Sequence, residues 1–423
     1  MASESSAEEG FLSPGGAVSR EGSRGFTLSE AEKHWPHEVL EGKKHFVSLL
    51  PEESQLLELF PERPVLRALA DAISGGRATA LFGQSVQLED IEAAGGSVCS
   101  LPSSGSFKII RPLGSGDFHV DVVVQPEDGD AEYALRFFAS SENTSLLSAE
   151  VGSAFEGEFN GATKALGGRS AVEGMEESGF AGPLYAASIR GIDASTKLHG
   201  VSVYPRVLLY SLFRGNLENI LYQLGDLPPN SKEYVARRLV TLVLLLQKAG
   251  VAHNNLEFKN FFVRSDGSIF VGNFSAAVFF GEKIQRHLLG LNPAFAPPEL
   301  LLAVSKEDNG TGVMDGENEF IAKPAGDMWS LGAMLFSFFT KGNTPYDLLG
   351  DPEIGIYYDT VLKELFERNA QPDQLKRFLE IFSVPGQWIQ LMMRLLTLKS
   401  GDRMTGEQLL VSFPELSGVS VSK

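Results

Sequence analysis

The sequence predicts an α+β fold of two unequal parts, a small β-rich portion followed by a larger helical one, with a helical extension ahead of both. Two observations carry this. Between Phe107 and Phe138 the runs VDVVV and YALRFF, parted by the polar turn PEDGD, are rich in the β-branched and aromatic residues that suit half-buried strands. After Pro228 and Pro229, Ser231 stands as a cap and Gly250 as a stop around a long apolar block, and helical patterns dominate from there on. A chain of 423 residues, 43% hydrophobic, has apolar surface enough for such a core.

In chain order, residues 1–30 are rich in Ser, Gly and Glu, too polar to offset the entropy of ordering, and are expected to be disordered. Residues 31–105 form the expected helical extension. There Pro51 opens PEESQLLELF, and Leu66, Leu69 and Ile73 share one face before Gly75 ends the helix. An apolar stripe needs a cover, so the extension is expected to pack on the β-rich part, residues 106–209. The helical part spans 210–418, and the acidic stretch from Lys306 to Glu319 reads as a solvated loop.

Composition excludes several function classes. A formal charge of −18 opposes binding to nucleic acid or to an anionic membrane. Cys99 is the only cysteine, so no disulfide forms within the chain. His34 and His37 flank Pro36 with no further ligand cluster, which describes a surface pair, and no metal site is expected. The apolar run Leu239 to Leu246 is too short to cross a bilayer, and MASESSAEEG has no basic start with an apolar stretch, so no membrane insertion and no signal peptide are expected.

The chemistry lies in short motifs whose order and spacing resemble those of protein kinases. LGSGDFHV, from Leu113, resembles the glycine-rich loop, with Gly114 and Gly116 in place but His119 at the third glycine. YALR places Arg136 where the phosphate-binding Lys would be, and Glu158 is the candidate for that residue's partner. HNNLEFKN, His253 to Asn260, resembles the catalytic loop H-R-D-L-x-x-x-N, and NFS, from Asn273, stands where D-F-G would. FAPPE, ending at Glu299, DMWSLG, from Asp327, and Arg403 complete the order. Together they imply a bilobed protein-kinase-like fold.

Sorted by role, the motifs divide. The structural ones survive: Glu299 with Arg403 as an ion pair, and Asp327 holding the catalytic-loop backbone. The chemical ones are altered. Asn255 replaces the proton-accepting Asp, and a carboxamide accepts no proton near neutral pH. Asn273 replaces the metal-binding Asp, and a neutral amide oxygen is a poorer ligand for Mg²⁺. Arg136 keeps the charge of a Lys but not its point-like geometry. Asn260 alone keeps the metal-site identity. Glu257 stands for the Lys that faces the transferred phosphate, and Asp117 adds an anion at the loop tip. At about 4 Å and an effective dielectric near 20, each such anion would oppose a phosphate charge by about 4 kcal/mol. ATP is expected to bind weakly or not at all, with metal-independent nucleotide binding as the alternative.

Beyond the general pattern, VLLYSLFRGNLENIL, from Val207, and the helix ending in QKAGVAH resemble the rhoptry kinase family of apicomplexan parasites, in particular its pseudokinases. The resemblance implies a secreted effector delivered from the rhoptry into the host cell or the parasitophorous vacuole. It implies a scaffold or allosteric partner for a protein, either an active kinase or a host protein. A nucleotide-binding switch without turnover, or a weak atypical nucleotide-dependent transferase, is the competing reading.

Overall fold

The computed structural model describes residues 26–52, 63–78, 80–94, 105–116, 118–141, 147–193, 197–284, 288, 292–302, 321–345 and 372–418. The expected disorder spans residues 1–30; its part before residue 26 lies outside them, as do the PEESQLLELF helix beyond residue 52, Asp117 and the acidic loop 306–319, whereas Leu28, Ser29 and Glu30 are helical rather than disordered.

The extension begins with α1 (Leu28–Lys33) and α2 (His37–Leu49). Thr27 caps α1 by accepting from the Glu30 N–H, which satisfies one donor that the first turn leaves open. α3 (Arg63–Ser74) follows, with Leu69 fully buried on its inner face. Strands β1 (Ser85–Ala93), β2 (Ser106–Ser115), β3 (His119–Pro126) and β4 (Tyr133–Ser141) lead to α4 (Leu147–Leu166) and α5 (Ala171–Ser178). Then come β5 (Phe180–Ala181), β6 (Tyr185–Ile189), β7 (Lys197–Leu198), β8 (Val201–Ser211) and β9 (Gly215–Asn216).

Six of these strands close a ring, β4–β3–β2–β1–β6–β8 and back to β4, with β7 added beside β8. Val86, Phe107, Ile109, Leu135, Phe137 and Val207 fill its core, which α3 shares. Closure leaves no continuous open edge for another strand to extend. α4 packs on the opposite side through Phe155, which meets Phe138 edge to face at 5.4 Å.

The second half holds α6 (Leu217–Leu224), α7 (Pro229–Ala249), β10 (Val251–Ala252), β11 (Phe261–Val263), β12 (Ile269–Gly272), β13 (Val278–Phe279) and α8 (Pro324–Phe339). α9 (Pro372–Ile381), α10 (Gly386–Leu395) and α11 (Gly406–Ser412) close it. Its core is a separate cluster around α7, α8 and α10, with Trp329 and Trp388 fully buried. α7 ends as expected at Gly250, in the left-handed region at φ 71°.

Three expectations need correction. Residues 31–105 are not wholly helical, because β1 lies among them and supplies the strand between β2 and β6. The early helices pack on α7 rather than on the sheet: Trp35 meets Tyr234 at 5.9 Å, and the Arg238 guanidinium reaches the Glu32 carboxylate. At Gly42 the approach is so close that a Cβ would lie 2.1 Å from the Asn230 carbonyl oxygen. Among the described helices of the extension, only α3 covers the sheet. Ser231 is no cap either, since the helix starts with Pro229 after Pro228, and the Ser231 hydroxyl instead donates to the Gly42 carbonyl at 3.2 Å.

Candidate functional site

A cavity of about 440 Å³ lies between the two halves. Gly114, Gly116, His119, Arg136, Glu158, Asn255, Asn260 and Asn273 all line it, so residues far apart in sequence share one cavity. The β2–β3 hairpin forms its roof, α4 its back, and the segment from Asn255 to Ser275 its floor.

The floor is tied by carboxamides. Asn273 Nδ2 donates to Asn260 Oδ1 at 2.8 Å, and Asn260 Nδ2 donates to the Asn255 carbonyl oxygen at 2.7 Å. Both ends of the Asn260 side chain are therefore engaged within the chain. Asn273 sits in the left-handed region at φ 60°, and Asn254 does so at 61°, conformations that Asn tolerates better than most residues. Asn254 donates to the carbonyls of Ala276 at 2.9 Å and Ala252 at 3.3 Å, pinning the turn that follows Asn273. Below, Asp327 accepts from the backbone N–H groups of His253 at 2.7 Å and Asn254 at 3.0 Å. Burial pushes its carboxyl up to about 6, against those two bonds.

The back wall is a charge cluster. The Arg136 guanidinium grips Asp121 with two parallel bonds, Nε to Oδ1 and Nη2 to Oδ2, each 2.8 Å. Register explains the pair, since Asp121 and Arg136 are directly opposed on β3 and β4. Burial opposes the charge on Arg136, but Asp121 beside it overrides that and holds the guanidinium cationic. The expected Arg136 to Glu158 pair is secondary, with Nη1 4.0 Å from Oε2. Glu158 is buried rather than solvated, and its Oε1 accepts from the Tyr210 hydroxyl at 3.1 Å. Burial pushes its carboxyl above the usual range, opposed by Arg136. At the roof, the His119 ring folds against Gly116, where a Cβ would lie 2.5 Å from the imidazole. Burial, with Arg136 adding to it, pushes His119 down to about 4, so the ring is neutral at pH 7.

Glu257 does not face the cavity as expected. It is buried below, where Lys259 Nζ lies 2.8 Å from Oε1 and Asn292 Nδ2 donates to Oε2 at 3.1 Å. The repulsion assigned to it falls on a neutralised pair, and Lys259 is the side chain that reaches the cavity lining. Asp121, Tyr210 and Lys259 were missed. Only Asp121 carried a signal: in HVDVVV, period two puts it on the face of His119.

The structural residues lie apart from the cavity. Arg403 Nη1 and Nη2 meet Glu299 Oε1 and Oε2 at 2.7 and 3.0 Å, and the same guanidinium donates to the carbonyls of Ala325, Thr397 and Leu398.

Known proteins share the fold. A family model described as kinase-like matches residues 201–387. The fold is kinase-like. Among curated relatives, the "Probable cyclin-dependent serine/threonine-protein kinase" of Dictyostelium discoideum is 24% identical over 222 residues, 49% of this chain and 32% of that protein. Serine/threonine-protein kinase PknL of Mycobacterium tuberculosis is 24% identical over 157 residues, 37% of this chain and 35% of that one. The chain thus spans about a third of the length of these relatives. Solved structures match over more of the chain. ROP2 of Toxoplasma gondii, described as a virulence factor with a protein-kinase fold and no enzymatic activity, has a TM-score of 0.59 at 13% identity and covers 90% of this chain and 95% of its own. The ROP18 kinase domain, in complex with AMP-PNP and sucrose, has a TM-score of 0.57 at 17% identity and covers 90% and 94%. The chain thus resembles rhoptry kinases.

A kinase-like fold implies Mg²⁺ and ATP, and these residues do not fit them. Asn260 Oδ1 faces an N–H donor where a metal would sit, and Asn273 offers no carboxylate. The Arg136 fork is spent on Asp121, and the His119 ring occupies space beneath the glycine loop.

Proposed function

We propose that the chain is a catalytically inactive pseudokinase of bilobed layout, which acts by binding a protein partner as a scaffold or allosteric element. One observation carries the reading: the amide-to-amide bond between Asn273 and Asn260 stands where a metal would be held, beside an Asn255 that cannot take a proton. ATP binding is weak or absent on this reading. The description of ROP2 as a kinase fold without enzymatic activity supports the same use of the architecture.

The resemblance to rhoptry kinases supports a further proposal, that the protein is a secreted effector reaching the host cell or parasitophorous vacuole by way of the rhoptry. Its partner is then an active kinase or a host protein. α1 and α2, clamped on α7 through Gly42, and α3 on the sheet act as the extension that widens the binding surface.

A radiolabelled phosphotransfer assay on purified protein tests the catalytic part. Because losing a general base costs about 10²- to 10⁴-fold, the protein is expected to show no transfer above a heat-inactivated control. Transfer that disappears in Asn260→Ala would overturn the reading.

A further inference from the structure

We propose that the cavity binds a small organic cation with a flat apolar body, held by the Glu158 carboxylate. This rests on the reading above, that triphosphate chemistry has left the site, and it names what the site takes instead. The argument begins with a charge count. Two carboxylates, Asp121 and Glu158, line the cavity beside one guanidinium, Arg136, and that guanidinium gives both parallel bonds to Asp121. The other lining cation, Lys259, is met by Glu257. His119 is neutral and adds nothing to the balance.

Glu158 is the carboxylate left short. Tyr210 satisfies Oε1, whereas Oε2 is buried without a hydrogen-bond partner among the described residues. The Phe274 N–H eases its charge from the backbone and the Arg136 guanidinium stands off at 4.0 Å, yet Oε2 keeps no hydrogen-bond partner among the described residues. Buried polar atoms in native proteins are nearly always paired, so an unpaired carboxylate oxygen beside a cavity calls for a donor from outside. The rest of the lining sets the shape. Leu113, Ala134, Phe138, Phe213 and Leu288 provide apolar walls, and about 440 Å³ suits one ligand of drug-like size. An anionic ligand would meet the excess carboxylate; a protonated amine or amidine would complete it.

Three near-isosteric probes test this on the full chain by isothermal titration calorimetry: benzamidine (cationic), benzamide (neutral) and benzoate (anionic). A charged hydrogen bond in a shielded site is expected to make benzamidine bind roughly tenfold or more tighter than benzamide, with benzoate weakest. Glu158→Gln is expected to erase the preference for benzamidine, and Asp121→Asn, by freeing the Arg136 fork, to raise benzoate binding at least about tenfold. Equal or reversed order in the wild type would overturn the proposal whether or not the variants fold. A Glu158→Gln protein that keeps the preference would overturn the role of Glu158. Phosphotransfer activity would instead break the inactive-kinase reading and leave the probe order to be judged separately.

Discussion

Two arginine–carboxylate pairs, built alike, do opposite work in the two halves of the molecule. In the helical half, Arg403 faces one carboxylate, Glu299, and its other N–H groups are taken by the carbonyls of Ala325, Thr397 and Leu398. Charge and hydrogen bonds both balance there, and the guanidinium lies over Trp329 at 5.1 Å. In the sheet half, Arg136 faces two carboxylates and gives its parallel bonds to Asp121, which leaves Glu158 short. The first pair is finished structure. The second leaves Glu158 Oε2 buried without a hydrogen-bond partner among the described residues, so the two halves differ in how fully their charges are paired.

The largest effect should come from breaking the finished pair. Arg403→Ala leaves Glu299 and three carbonyls without their donor, and a loss of about 3 to 5 kcal/mol in urea unfolding is expected. A loss below about 1 kcal/mol would show that the pair is no stronger than a surface bridge.

Asp327 sharpens the comparison through pH. Burial raises its folded pKa to about 6, above its unfolded value, so the folded state holds the proton more tightly. Its contribution is therefore fully present at low pH, below the unfolded value, and is lost as pH climbs through 6. His253, pushed down to about 4 by burial, acts in the opposite sense as pH falls, as does His119. The difference between wild type and Asp327→Asn isolates the term. The gap in stability should shrink by roughly 2 to 3 kcal/mol between pH 4 and pH 7. A gap that stays constant would mean that Asp327 titrates alike in both states.

Glycines give the next effect. α4 meets the floor segment at Gly161, where a Cβ would lie 2.0 Å from the Phe274 carbonyl oxygen, so Gly161→Ala should cost about 1 to 3 kcal/mol in the same assay. Gly114, with no atom within 4 Å of such a Cβ, should accept Ala within about 0.5 kcal/mol. Equal costs would show that α4 does not rest on the floor as described.

What could be read from the sequence was what local spacing encodes. HNNLEFKN, NFS and DMWSLG carry their geometry within a few residues, and the structure brings His253, Asn254 and Asp327 into bonding distance. Partners set by strand register or by distant segments were hidden. Asp121 meets Arg136 only because β3 and β4 align them, and Glu257 accepts a hydrogen bond from Asn292 in another segment. β1 escaped notice because its alternation fails midway: Val86 and Leu88 are buried, then the strand turns irregular at Asp90, with φ 50°.

The central claim, that carboxamides have closed the metal site, is tested most directly by titrating ATP with and without Mg²⁺ and following the thermal unfolding midpoint. Mg²⁺ is expected to leave any ATP-dependent shift unchanged in the wild type. A shift that appears or grows when Mg²⁺ is added would contradict the account.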